Sequence, residues 1–429
     1  MPDRFQFSHN EQNLPEMTET PDLAPREDWR ECRDCGLFIR LMHRQPGLIA
    51  ECPRCDSTLW RMRRVNINFP LACAIAGLFF YTFALIAPLL EVEDYGRFAL
   101  AHIETGPTRL MNAGWKAMGI LIFAVTLIIP GLKLGIITVT LLGIDTRFPK
   151  RILRAIFRWY APLSPWAMID VYLLGFLVAY TRLAGMFTVR IDTALYALIG
   201  LMVTMAAMDS GLDHEAVWRS LDDSEKSPCT LDRHASSCNA CGLVNQATGN
   251  NLCRRCDTPL YPRKTASISR TWAYVIAAAF LYIPANIYPF MNITQLARTQ
   301  SYTIMGGIIE LIQVNLWPIA MLVFFASITI PLLKLIGLAY MLVSTQRGNT
   351  KFLHTRTKAY RVLDFIGRWS MIDIFMVSIL VALVHFGQFA KVSANVGSIC
   401  FAAVVVLTIF AVDAFDPRLM WDNYKEPEA

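Results

Sequence analysis

The stretch "RWSMIDIF", residues 368–375, sets an aspartate inside a long apolar run. "PWAMIDVY", residues 165–172, repeats the arrangement, with Trp166, Met168, Ile169 and Asp170 in the order of Trp369, Met371, Ile372 and Asp373. A charge in hydrocarbon is expensive, and one that occurs twice in the same setting points to a duplicated chain. Working outward, Pro88, Pro130 and Lys133 recur 201 positions later as Pro289, Pro331 and Lys334. Thr204 and Asp209 recur 204 positions later as Thr408 and Asp413.

Composition sets the medium. Of 429 residues, 54% are hydrophobic and 17% charged, far from a soluble domain. Eight stretches are long enough to cross a bilayer, near 68–90, 114–143, 166–186, 189–208, 271–291, 317–343, 368–388 and 395–413. The two longest contain Pro130 and Pro331, so a bend or tilt is expected there. The first 28 residues are polar and acidic, without the apolar core of a secretory signal. Arg61, Arg63 and Arg64, "RFPKRILRAIFR" (147–158) and "RGNTKFLHTRTKAYR" (347–361) put basic residues on the same side each time. That side is expected to be cytoplasmic, with both termini, while "EVEDYGRFALAHIETGPTR" (91–109) faces outward. The formal net charge of +6 is accounted for by these flanks and gives no reason to invoke nucleic acid. Four spans per half is an even number, so the halves enter from one side as parallel repeats.

Each half opens with two C-x-x-C pairs: Cys32, Cys35, Cys52 and Cys55, then Cys238, Cys241, Cys253 and Cys256. Two such knuckles present four thiolates to one metal ion, with Gly36 and Gly242 easing the turn after the first pair. Segments this short lack a core, so the metal would supply their folding energy. Zinc is expected, two ions per chain, because closed all-thiolate sites are usually structural; iron in a rubredoxin-like centre takes the same ligands. Two disulfides per segment are the alternative, which a cytoplasmic location disfavours. Cys73, Cys229 and Cys400 lack partners at ligand spacing and read as ordinary thiols.

The expected fold is a polytopic all-α membrane protein made of two parallel repeats, each a small four-cysteine zinc ribbon followed by a four-helix transmembrane bundle. The expected division is a disordered tail (1–28), ribbon (29–64), bundle (65–208), linker (209–235), ribbon (236–265), bundle (266–413) and C-terminal tail (414–429).

With the paired C-x-x-C ribbons, the second-half motifs "PANIYP", "IPLLK", "GRWSMIDIF" and "FDPRLMWD" resemble the paraquat-inducible protein A family, PqiA and LetA, over nearly the whole chain from about residue 29. The first half is looser: "FALIAP" answers "PANIYP", Leu85 answers Asn286 and Pro165 answers Arg368. The resemblance implies a multi-pass protein of the Gram-negative inner membrane. It implies lipid transport to or from the outer membrane, with membrane phospholipids as cargo and a periplasmic MCE-domain partner of the PqiB or LetB kind.

Rise per residue places Asp373 about 7 Å and Lys334 about 13 Å from the cytoplasmic side. A lysine side chain spans that difference, so the expected pairs are Lys334 with Asp373 and Lys133 with Asp170. One reading is a site that binds or relays protons; the other is a structural pin or residues snorkelling to the interface. Asn286, between Pro284 and Pro289, either lines a cavity or caps a kink. Thr408 is expected to bond its own helix, and Asp413 and Asp416 to be solvated. "SYTIMGGIIELIQVNLWP" (301–318) reads as an outer amphipathic helix covering the bundle. A competing function is a membrane redox protein with four-cysteine iron centres. The scattered histidines, with His102 and His385 unmatched between halves, give no haem pair. No phosphate-binding loop and no nucleophile–base constellation is present, so an enzyme is not expected.

Overall fold

A computed structural model describes residues 24–25, 29–40, 49–61, 67–94, 97–146, 148–184, 188–222, 228–229, 235–246, 252–295, 298–383, 385–386 and 390–424. Expectations for the N-terminal tail outside 24–25, and for Arg63 and Arg64, lie outside the described residues. Among the described residues eight helices are long and apolar enough to cross a membrane: Asn68–Ile86, Lys116–Asp145, Lys150–Thr181, Thr193–Gly211, Ser267–Ile287, Trp317–Gln346, Leu353–Ala382 and Val396–Ala414. The first span packs along the fourth, and the fifth along the eighth.

The first and fifth spans end for a shared reason. Ala87 and Tyr288 each precede a proline, which disfavours helical backbone, and both are extended at ψ 147° and 150°. The chain then leaves helix altogether. Leu90–Asp94 pairs antiparallel with Arg97–Ala101 and Thr188–Ile191. In the second half Met291–Gln295 pairs with Arg298–Tyr302 and Ala390–Ala394, with His385–Phe386 at the edge. The bundles are helical as expected, but each carries a small sheet on the face away from the ribbons. The sequence reading took these segments for connections or for the ends of spans, because the strands are short and each sheet joins a local hairpin to a distant piece of chain.

A short helix follows each hairpin, Thr105–Asn112 and Ile304–Gln313, and leads into the second or sixth span. Those two spans contain a wider π turn, Ala124–Ile128 and Phe325–Thr329, just ahead of Pro130 and Pro331. Proline lacks an N–H and its ring crowds the carbonyl four residues back, so the regular ladder is interrupted there. The hydroxyl of Tyr81 donates to Leu127 O at 2.8 Å and that of Tyr282 to Ile328 O at 3.2 Å, supplying the π turns with donors from the neighbouring span. The basic stretches are also helical, Lys150–Phe157 and Leu353–Gly367, and pass through short 3-10 turns into the membrane helices Ile169–Ala184 and Ile372–Leu383.

These last two helices form the seam between the halves. The seventh span is 82% buried across its apolar window against 44% for the third. Gly175 makes the close approach: a Cβ there would lie 2.9 Å from Phe375 Cβ and 3.0 Å from Ile372 O. Tyr172 and Phe375 meet edge-to-face with centroids 5.6 Å apart. Gly106 of the first-half outer helix packs equally tightly on Ser378.

Gly175→Ala should therefore destabilise the detergent-solubilised protein by about 1–3 kcal/mol through overpacking. Gly135→Ala, where an added Cβ meets nothing within 4 Å, should leave the melting temperature unchanged. Equal melting temperatures for the two variants would count against a close-packed seam.

Candidate metal centres and buried polar sites

Four knuckles share one geometry. The Cys32 N–H donates to Leu37 O (2.8 Å) and the Gly36 N–H to Cys32 O (2.9 Å). Cys52 with Ser57 and Asp56, Cys238 with Leu243 and Gly242, and Cys253 with Thr258 and Asp257 repeat the pattern. The turn residue is left-handed each time, with φ of +75° at Gly36, +72° at Gly242, +54° at Asp56 and +55° at Asp257. Glycine takes this region without strain and aspartate is among the few other residues that visit it.

The knuckles converge in pairs. Cys32, Cys35, Cys52 and Cys55 are buried, as are Cys238, Cys241, Cys253 and Cys256, and within each set the Sγ atoms lie within 4.8 Å of one another. Contacts of 3.5 Å join Cys32 to Cys55 and Cys35 to Cys52; the second set has 3.4 Å for Cys238–Cys256 and 3.5 Å for Cys241–Cys253. A disulfide needs about 2.05 Å, and all eight thiols are free. A tetrahedron with metal–sulfur bonds of about 2.3 Å has edges of about 3.8 Å, so the donors fit a four-thiolate ion. Hydrogen bonds from the other thiols of each set hold Cys52 and Cys253 far below the ordinary thiol range, the first by Cys32 and the second by Cys238. Asn245 reaches Cys253 Sγ at 3.5 Å through Nδ2, a neutral donor toward a thiolate.

The ribbons are tied across the chain. Glu31, the last residue of the strand Trp29–Glu31 and directly before Cys32, accepts from Arg418 Nη1 at 2.9 Å and from the Ser237 N–H at 3.0 Å. Arg418 also donates from Nε and Nη2 to Asp416, at 3.0 Å each. Burial alone would raise the Asp416 carboxyl, but Arg418 holds it below its ordinary value. Arg361 meets Asp34 at 3.1 Å, and Arg54 stacks over Trp421 and Tyr424. The first ribbon thus sits on the end of the second bundle. Asp213 caps a helix over His214–Ser220, within the stretch expected to be linker. From it Glu215 accepts from Arg255 of the second ribbon at 3.4 Å, and Arg255 also meets Asp222 at 2.7 Å; Glu215 is in addition ion-paired with Arg30 of the first ribbon at 2.7 Å. The second ribbon thus sits on the end of the first bundle. Asp416 is buried, not solvated as expected; Asp413 is exposed. Sequence reasoning passed over Glu31, Glu215, Arg255 and Arg418. The available signal was an acidic and a basic residue two apart in "FDPRLMWD", a stretch otherwise read only for its resemblance.

The intramembrane charges are arranged differently from expectation. Lys133, 2% exposed, pairs with Asp209 at 2.7 Å rather than with Asp170, which is exposed. Tyr160 donates to the other Asp209 oxygen at 2.6 Å. Lys334, 1% exposed, donates to Gly367 O at 2.9 Å and Thr408 Oγ1 at 3.4 Å, not to Asp373. Depth along a helix does not fix rotation about it, and both lysines face the last span of their half. Asp413, the counterpart of Asp209, instead turns toward Lys264. Asp373 is buried in the first turn of Ile372–Leu383. Thr408 donates to Val405 O of its own helix, and Asn286 Nδ2 to Tyr282 O. An added Cβ on Gly367 would come within 2.9 Å of Lys334 Cε.

The family described as Paraquat-inducible protein A matches at residues 67–222 and 268–425, one match per half. Intermembrane transport protein PqiA of Escherichia coli K12 is 28% identical over 407 residues, covering 92% of this chain and 96% of that protein. Lipophilic envelope-spanning tunnel protein A of the same organism is 28% identical over 426 residues, 97% of this chain and 98% of that one. A probable intermembrane transport protein of Haemophilus influenzae is 26% identical, covering 95% and 99%. No solved structure matches.

Two predictions follow the geometry of the ribbons. Elemental analysis of the purified protein should find two metal ions per chain, and Cys241→Ser should reduce this to one while the first set keeps its ion. Arg418→Ala leaves Glu31 and Asp416 without their buried guanidinium and should destabilise by about 3–5 kcal/mol, read as faster proteolysis of residues 29–61 in the folded protein.

Proposed function

Because this chain belongs to the paraquat-inducible protein A family, we propose that it is the inner-membrane subunit of a system that moves lipid between the inner and outer membranes with a periplasmic MCE-domain partner. Transport is what the names of the relatives say of them, and eight membrane-length helices support a membrane subunit here. The ribbons and both termini face the cytoplasm, by the basic flanks. The ribbons hold zinc as a structural ion and, with the two bundles, form the working divisions of the chain. The protein carries cargo without making or breaking bonds in it.

The observation that carries the reading is the difference between the two buried lysines. Lys133 is ion-paired with Asp209, a contact suited to a structural pin. Lys334 donates to two neutral acceptors, Gly367 O and Thr408 Oγ1, which a neutral amine satisfies as well as an ammonium, and the acid whose charge acts on it, Asp364, is not in contact with it. Such a group exchanges a proton without orphaning a buried carboxylate. Asp373 lies buried at the start of the seam helix, so the two titratable groups bracket the junction where the halves meet. Proton binding there shifts the balance between two packings of the seam, and lipid follows. The second half is the working half.

Lys334→Met and Asp373→Asn should be expressed at normal levels yet fail to support growth under envelope stress in cells lacking their own copies. Lys133→Met should instead lower stability, and Asp170→Asn should have little effect on growth. Full growth with Asp373→Asn at normal expression would dismiss proton coupling and leave the aspartate a helix pin.

A further inference from the structure

The basic helices that precede the third and seventh membrane helices occupy the same place in the two repeats, but their cations have different partners. On Leu353–Gly367, His354 and Lys358 meet Asp56 at 3.0 and 3.5 Å, and Arg361 meets Asp34. The acids of the first ribbon pair with the cations of this helix, which still exposes Val362 and Phe365. The arginines of Lys150–Phe157 have no such cover: among the described residues no acidic side chain pairs with Arg151, Arg154 or Arg158.

The apolar residues of this helix point in two directions. Leu153 and Phe157 are buried in the bundle. On the helix Ile152 (48% exposed) faces outward with Ala155, and Phe148 (54%) and Trp159 (55%), which flank its two ends, extend this apolar exposure. Arg151, Arg154 and Arg158, at i, i+3 and i+7, form a row beside these residues, and the Arg158 guanidinium lies 5.8 Å from the Trp159 ring. The preceding span also exposes apolar side chains, Val139 and Leu142 among them. A helix apolar on both sides, flanked by arginines and joined to a membrane span, meets protein on one side and lipid on the other.

We propose that Lys150–Phe157 lies in the membrane leaflet on the ribbon side and binds anionic phospholipid, with Phe148, Ile152 and Trp159 among the acyl chains and the three arginines on the phosphate groups. Aromatic anchors and arginines suit this boundary, where an apolar body and a charged tip are both satisfied. The second half gives this role up to ribbon docking.

The test is native mass spectrometry of the full chain from detergent micelles containing equal phosphatidylglycerol and phosphatidylcholine. The wild-type chain should retain phosphatidylglycerol in excess, and the triple change Arg151→Gln, Arg154→Gln, Arg158→Gln should cut that excess by about tenfold or more. Lys358→Gln with Arg361→Gln should leave it unchanged. Equal retention of the two lipids by the wild type, an undiminished excess in the triple variant, or the same loss in the second-half variant would each overturn the proposal. Should the triple variant not fold, the wild-type excess must fall as salt rises from low to high concentration; a salt-independent excess overturns the proposal equally.

Discussion

The contact between Glu31 and Arg418 holds the chain in the form described. Its partners stand at opposite ends of the sequence, and through Ser237 the same carboxylate reaches the second ribbon. Glu31, Asp416 and Arg418 are buried, and buried charges persist only where every member has a partner. Placing the first ribbon elsewhere would take Glu31 from Arg418 and leave the Arg418 Nη1 without its acceptor. The ion cluster therefore decides which bundle each ribbon serves, and it makes the chain a closed loop in which the beginning rests on the end.

Membrane class, duplication, approximate spans and both cysteine sets were legible in the sequence because each depends on composition or spacing along one dimension. The partners of Lys133 and Lys334 were not. Both lysines lie on helices whose depth the sequence fixes, but whether Lys133 meets Asp209 or Asp170 turns on azimuth, which comes from packing of several helices at once. The sheets were missed because each hairpin, Leu90–Asp94 with Arg97–Ala101 in the first half, is short, and the strand that widens it, Thr188–Ile191, comes nearly a hundred residues on. The ribbon docking needed Arg418 and Glu31 to be recognised as partners across almost the whole chain.

The two halves share a plan and differ in what their polar groups are used for. The fourth-span acid satisfies the buried lysine in one half and faces outward in the other. One outer helix is wedged against the seam through Gly106, while Ile304–Gln313 leaves Met305, Ile309 and Ile312 exposed. Duplication supplies two copies of each device. Asymmetry of this kind lets one copy keep the scaffold rigid while the other is released from that duty.

Each π turn has one more consequence. It contains one residue more than a regular turn, so the segments on either side of it are offset by one position, about 100° of rotation and 1.5 Å of rise. Moving that surplus residue along the span by a turn would re-aim the side chains it passes without breaking the rod. Pro130 and Pro331 bar its travel in one direction, and the hydroxyls of Tyr81 and Tyr282 latch it in place. The second and sixth spans are thus jointed shafts, each with its swivel a few residues from the buried lysine it carries.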